Sequence, residues 1–266
     1  MAMSSVITRR SFLTAMAGGA AAIVSEPAWA GRLPPAGQRI AALIGEAAAL
    51  PTVAQRIDVI SKALVGSPYR GHTLIGSARR AERFVMRDDV FDCVTFCEIV
   101  LAAALAREPE QFEPQLRLIR YKDGEIDWRA RNHYFSDWCA NNVANHVCKK
   151  LLLPGSETVD KRLTWMRGLG PRQVSMTVLP RAALIENHVL LATGDIIGFV
   201  SQRPGLDYFH TGFVVATGEG QLMLRHAAKS RGRVLDQPLP RFLADNHAQA
   251  VTLLRVKEPT TMASVI

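Results

Sequence analysis

Beyond its first thirty residues the 266-residue chain has no apolar run of the roughly 20 residues that a membrane-spanning helix needs, which excludes such a helix there. It has no internal repeat and no Pro- or Ser-rich linker, so about 236 residues are left to bury a single core. Cysteine is scarce, at four residues. Cys93 and Cys97 lie close together ahead of a helix-forming run, and Cys139 and Cys148 lie within Ser136 to Leu152, which reads as one helix. A continuous helix would hold the second pair roughly 13 Å apart, so any disulfide would be long-range. Acidic residues are also in deficit, 24 against 32 Lys and Arg.

The N-terminus supplies what the rest of the chain lacks. Thr8-Arg9-Arg10-Ser11-Phe12-Leu13 precedes an uncharged run from Thr14 to Ser25 and then Ala28-Trp29-Ala30. A twin-arginine start, a short apolar stretch and a small-x-small end describe an export signal over residues 1–30, cleaved after Ala30, and a periplasmic mature protein of residues 31–266. Loss of Arg9, Arg10 and Glu26 leaves 30 basic and 23 acidic residues, a formal charge of +7. That charge suits an anionic polymer, and the compartment disfavours nucleic acid.

Residues 36–49 and 53–65 read as amphipathic helices, the second ending in the turn Gly66-Ser67-Pro68-Tyr69. Residues 93–107 form the clearest helix, apolar on most sides. Residues 115–121 alternate enough for a strand, and from Thr193 onward the texture becomes short β-rich runs: 195–201, 210–216, 221–226 and 250–256. Helices first and strands after imply an α+β fold.

A thiol becomes a nucleophile when a helix N-terminus and an imidazole favour its thiolate. Cys93 opens the helix behind Asp92, a natural N-cap, whereas Cys97 lies in the helix interior. Two histidines flank the glycine-rich turn Thr217-Gly218-Glu219-Gly220, and a hairpin centred on Gly218 would set His210 directly opposite His226. His210 is then the candidate base and His226 the group that orients it, with Asp207 and Asp195 as alternatives. Arg131, His133, Tyr134, Asp137 and Trp138 gather cationic, polar and aromatic groups as a sugar or peptide site would, although a helix start capped by Ser136 explains the same stretch.

Several segments, taken in order, resemble the NlpC/P60-like cell-wall hydrolases, in particular the DUF1460 branch described as N-acetylmuramoyl-L-alanine amidase-like. They are Gly66 to Tyr69, Asp92-Cys93-Val94-Thr95-Phe96, Arg120 to Gly124, Arg131 to Trp138, Gly194-Asp195-Ile196-Ile197, Gly205 to Gly212 and His226-Ala227. The resemblance implies a papain-like core with the cysteine helix packed on a small antiparallel sheet, Cys93 as nucleophile, His210 as base, His226 as third residue and Tyr69 beside the nucleophile. It implies cleavage of an amide in peptidoglycan or muropeptides without a cofactor or metal, at the muramoyl-L-alanine bond or within the stem peptide. Phe209, Thr211 and Cys97 depart from the family pattern. Two rival readings use the same residues: a zinc site of Cys93, Cys97, His210 and His226, and a wall-binding module without catalysis.

Overall fold

The computed structural model describes residues 37–259, and the expected export signal lies outside them. The chain begins with helices α1 (Gln38–Ala47) and α2 (Val53–Ala63), followed by a small hairpin, β1 (Ile75–Ser77) and β2 (Arg80–Arg83). Helices α3 (Cys93–Leu105), α4 (Phe112–Arg120) and α5 (Phe135–Ala144) complete the helical half. Strands β3 (Cys148–Lys150), β4 (Glu157–Leu163) and β5 (Arg172–Pro180) come next, then α6 (Arg181–Glu186). The chain closes with β6 (Ile196–Val200), β7 (Tyr208–Ala216), β8 (Leu222–Ala228), β9 (Arg233–Pro238), α7 (Leu239–Asp245) and β10 (Ala250–Val256). The fold is α+β, as the sequence implies.

The sheet is larger than expected, with eight strands in the order β4-β5-β10-β6-β7-β8-β9 and β3 beside β10, each pair antiparallel. Alternation along β7 and β8 sends Phe213 and Ala227 into one core with the long helices, and Val214 and Leu224 into a second with α6 and α7. Helix α3 lies in the first core and is buried at every position from Thr95 to Leu105. Its start is fixed by a reciprocal capping box, in which Asp92 accepts from the Thr95 amide at 2.8 Å and the Thr95 hydroxyl accepts from the Asp92 amide at 2.9 Å.

Two expectations fail. Residues 112–120 form a helix, because Phe112, Leu116 and Ile119 recur at helical spacing and bury one face; the alternation within 115–121 is too short a window to reveal it. The expected helix over 136–152 ends at Ala144, after which His146 takes a left-handed φ of 57° and the chain turns into β3. The roughly 13 Å separation inferred for Cys139 and Cys148 from an unbroken helix therefore falls. Both are free thiols in the first core. Among the described residues no helix is long and apolar enough to cross a membrane.

The one polar group in the middle of α3 is Glu98, which is buried and accepts from Arg120 Nε at 2.7 Å, while Arg120 Nη1 donates to the Val85 carbonyl. A buried charge left without its partner is strongly destabilising. Arg120→Leu is expected to cost about 3–5 kcal/mol in urea unfolding, and Glu98→Leu combined with Arg120→Leu much less. Equal losses in the single and double variants would show that the pair is not the source.

Candidate active site

The β7–β8 hairpin carries both histidines, in a register different from the one expected. Pairing runs Phe213↔Arg225, Val214↔Leu224, Val215↔Met223 and Ala216↔Leu222, which centres the turn on Glu219 instead of Gly218. Carried further, this register sets His226 opposite Gly212, and His210 becomes its diagonal neighbour on the same face. Because the error is two residues, facing is preserved, and His210 Nε2 and His226 Nδ1 share a hydrogen bond of 2.6 Å. Gly212 makes this possible: a Cβ there would meet the Arg225 carbonyl at 2.8 Å and the His226 Cβ at 3.0 Å.

The two imidazoles lie on the face that α7 covers. Phe242 stacks on His210 with ring centroids 5.2 Å apart, Phe199 lies on it at 6.2 Å, and Phe242 meets His226 edge-on at 5.2 Å. This apolar enclosure penalises the imidazolium form. Burial, reinforced by His226, lowers the His210 pKa to about 3, and burial lowers that of His226 to about 4.

Cys93 approaches the same strand from the helical side and is the only cysteine of the four that is partly exposed. Val214 donates its amide to Asp195, toward β6, so the odd-numbered amides of β7 point toward β8. The β7–β8 ladder stops at Phe213↔Arg225, and the next such amide, Thr211 N–H, helps hold the Cys93 sulfur along with the amides of Val94 and Cys93 itself. Burial and then Asp92 nonetheless push the thiol up to about 12. The lowered thiol pKa expected of a helix start is therefore corrected: with no cation in contact, the amides do not offset burial and the neighbouring carboxylate. Tyr69 is close enough that burial, Cys93 and Asp92 together raise its phenol to about 12.

The other expected residues divide. Trp138 is wholly buried and stacked on Phe135 at 5.1 Å, so it offers no surface to a ligand. Tyr134 is also buried, accepting from the Met166 amide at 2.8 Å, with the Arg172 guanidinium over its ring. Arg131 pairs with Glu82 at 2.9 Å, and Asp137 is ion-paired with Arg172. These contacts hold the start of α5 in place, but the expected Ser136 cap fails: the helix begins at Phe135 behind Tyr134 with no side-chain cap, and Ser136 lies inside it with its amide donating to Asp207. His133 lines an open cleft of 410 Å³ with Asp92, Thr95 and Arg131, its Nε2 bonded to the Trp128 carbonyl at 2.6 Å. Asp195 pairs with Arg255, and Asp207 accepts from the Ser136 amide, so both alternative third groups are engaged elsewhere. Cys97 faces the Thr211 hydroxyl at 3.9 Å, and no group of three or more potential metal ligands occurs among the described residues.

Sequence reasoning overlooked the second cleft. It has a volume of 630 Å³ and is lined by both histidines, Phe209 and Phe242, with Lys229, Arg231, Gln237 and Asp245 around them. Its basic turn is anchored by the Tyr69 amide, which donates to the Gly232 carbonyl at 2.7 Å. The Ala-Lys-Ser-Arg-Gly stretch after His226 is the signal that could have revealed it.

Unfolded imidazoles take up protons near pH 6.5, whereas His226 and His210 in the fold do so only near 4 and 3. The unfolded state therefore binds more protons in between; stability is complete above pH 6.5 and is lost as pH falls through that window. Thermal melts should drop from pH 7 to pH 4.5, with a shallower slope in His226→Gln; an unchanged slope would contradict burial as the cause. Gly212→Ala should destabilise by about 1–3 kcal/mol in urea unfolding through overpacking.

Comparisons with known proteins bear on the fold and the family. A Legionella pneumophila protein of the DUF1460 family superposes with a TM-score of 0.71 at 21% identity, covering 83% of this chain and 95% of its own. An N-acetylmuramoyl-L-alanine amidase from Bacteroides uniformis gives 0.65 at 24% identity, covering 84% and 100%. A further structure described as an amidase of that kind from the same organism gives 0.62 at 26%, covering 74% and 97%. No curated protein matches the chain. Residues 59–251 match the model of one family over most of the chain's length, and the chain belongs to it: the AmiA-like family, described as N-acetylmuramoyl-L-alanine amidase-like.

Proposed function

We propose that the protein is a cysteine amidohydrolase of peptidoglycan that cuts the bond between the muramoyl lactyl group and L-alanine. The observation that carries this reading is the 2.6 Å His210–His226 bond on the strand whose next amide, that of Thr211, supports the Cys93 sulfur. On this reading the nucleophile sits at one helix start and the base and its orienting group on one hairpin, as a papain-like core of the NlpC/P60 type would have them.

The chemistry begins from neutral partners. His210, bonded to His226 through Nε2, has Nδ1 left to take the thiol proton as the Cys93 sulfur attacks the amide carbonyl. The tetrahedral oxyanion forms at the start of α3, where the Cys93 and Val94 amides lack intrahelical partners. The C–N bond breaks as the imidazolium returns the proton to the leaving amine, and water then hydrolyses the thioester with His210 as base. Because the base must reach the leaving nitrogen, the stem peptide lies in the cleft on the His210 side. Lys229 and Arg231 on its rim suit the carboxylates of that peptide, and the muramoyl side takes the cleft lined by His133 and Arg131. The export signal of residues 1–30 would deliver residues 31–266 as one catalytic domain to the periplasm, where the polymer is found.

Cys93→Ala and His210→Ala should each lower muropeptide or stem-peptide release from purified peptidoglycan by at least about 1,000-fold, as removal of one member of a catalytic unit does. Unchanged release in either variant would refute the assignment of that residue, whereas binding to peptidoglycan without any release by the unaltered protein would favour a wall-binding role. Mass spectrometry of the products decides the bond. Peptides beginning with L-alanine are expected, whereas glycans that keep part of the stem peptide would make the protein an endopeptidase working through the same site.

A further inference from the structure

The His210–His226 bond fixes more than the position of two rings. On the reading of His210 as base, its Nδ1 must be bare in the resting state, so Nε2 carries the ring proton and donates to His226 Nδ1. His226 must then carry its own proton on Nε2. That nitrogen is buried and has no hydrogen-bond partner among the described residues. A buried N–H without an acceptor favours the opposite tautomer, which would make His226 the donor and leave His210 with its proton on Nδ1, unable to accept from a thiol.

Gln237 resolves the conflict. In the β8–β9 ladder His226 pairs with Leu235, so Gln237 stands two residues further along β9 on the same face, diagonal to His226 as His210 is on the other side. The Gln237 amide nitrogen donates to Asp245 Oδ2 on α7 at 3.4 Å, which orients the amide and leaves its oxygen free to accept. Gln237 and Asp245 line the same cleft as the two histidines, and the Gln237 side chain supports the protonated form of His226, as an acceptor facing an N–H does. We propose that Gln237 Oε1 receives the His226 Nε2 proton, so that Asp245, Gln237, His226 and His210 form one chain of hydrogen bonds that leaves Nδ1 of His210 bare. Gln237 is a positioning residue: it lines the cleft, but it acts on the thiol proton through His226.

The charged and titratable groups around this chain are His210 on β7, Arg225 on β8, Asp236 on β9, Asp245 on α7, and Lys229 and Arg231 on the basic turn. Asp236 is bonded twice to Arg225, at 2.7 and 2.8 Å, so its charge is largely matched. An added carboxylate at position 237 would therefore be the dominant new influence on His226.

Three measurements on the full mature chain test the proposal. ¹⁵N shifts of the His226 imidazole should report a proton on Nε2 in the unaltered protein and a mixed or reversed tautomer in Gln237→Leu. With peptidoglycan as substrate, Gln237→Leu should lower kcat about 10- to 100-fold with KM unchanged. Gln237→Glu combined with Asp245→Asn keeps the acceptor toward His226 and a donor to hold it, and should retain kcat at its optimum, with the acid limb of its pH profile moved to higher pH because the carboxylate favours the imidazolium. A His226 proton on Nδ1 in the unaltered protein, or a kcat in Gln237→Leu within twofold of the unaltered enzyme, overturns the proposal. If Cys93→Ala still abolishes release in that case, the hydrolase reading stands and Gln237 alone is wrongly assigned; if Cys93→Ala is fully active, both fall.

Discussion

A helix with no polar face has to be covered on every side, and α3 is such a helix. From Thr95 to Leu105 every residue is buried, with α1, α2 and α4 on its flanks and β7 and β8 across it. A chain that wraps this helix leaves one end within reach of solvent, and Asp92 and Thr95 fix where that end begins. The position of Cys93 is thus set by the apolar burial of the whole helix behind it, and a partly exposed thiol is held by a rigid element.

The sheet makes the complementary half. On β7, Thr211 and Phe213 face α3 while His210 and Val214 face α7, so one strand holds a packing surface on one side and an imidazole on the other. The aromatic cover of Phe199 and Phe242 keeps both imidazoles neutral, and burial keeps the thiol protonated. The centre therefore rests without charge, although the nearby amides of Thr211, Val94 and Cys93 favour negative charge at this helix start.

Much of this was legible in the sequence, for reasons that differ from residue to residue. The α3 start could be read because a cap and an unbroken apolar run are local signals. The His210–His226 pairing could be read in parity and not in register, since a turn's centre depends on which of its glycines takes a left-handed φ, here Gly220 at 76°. The aromatic cluster before α5 misled because burial is a property of the whole fold: the ring of Trp138 looks the same in a sequence whether it faces a ligand or Phe135. Strands β4 and β5 were missed, since Glu157–Leu163 and Arg172–Pro180 are mostly exposed and carry little of the apolar alternation that marks a strand. The neutral state of Cys93 was hidden too, since it depends on burial and on Asp92, the same residue that caps the helix.

That double role of Asp92 has a consequence for the lifetime of the protein. Peroxide and other oxidants attack thiolates and leave thiols largely alone, and the first product, a sulfenic acid, leads on to irreversible states. A cysteine within reach of solvent is therefore protected while its proton stays on. Burial first, and then the Asp92 carboxylate, favour the protonated Cys93, so the residue that anchors α3 also works in the direction of a thiol less open to oxidation.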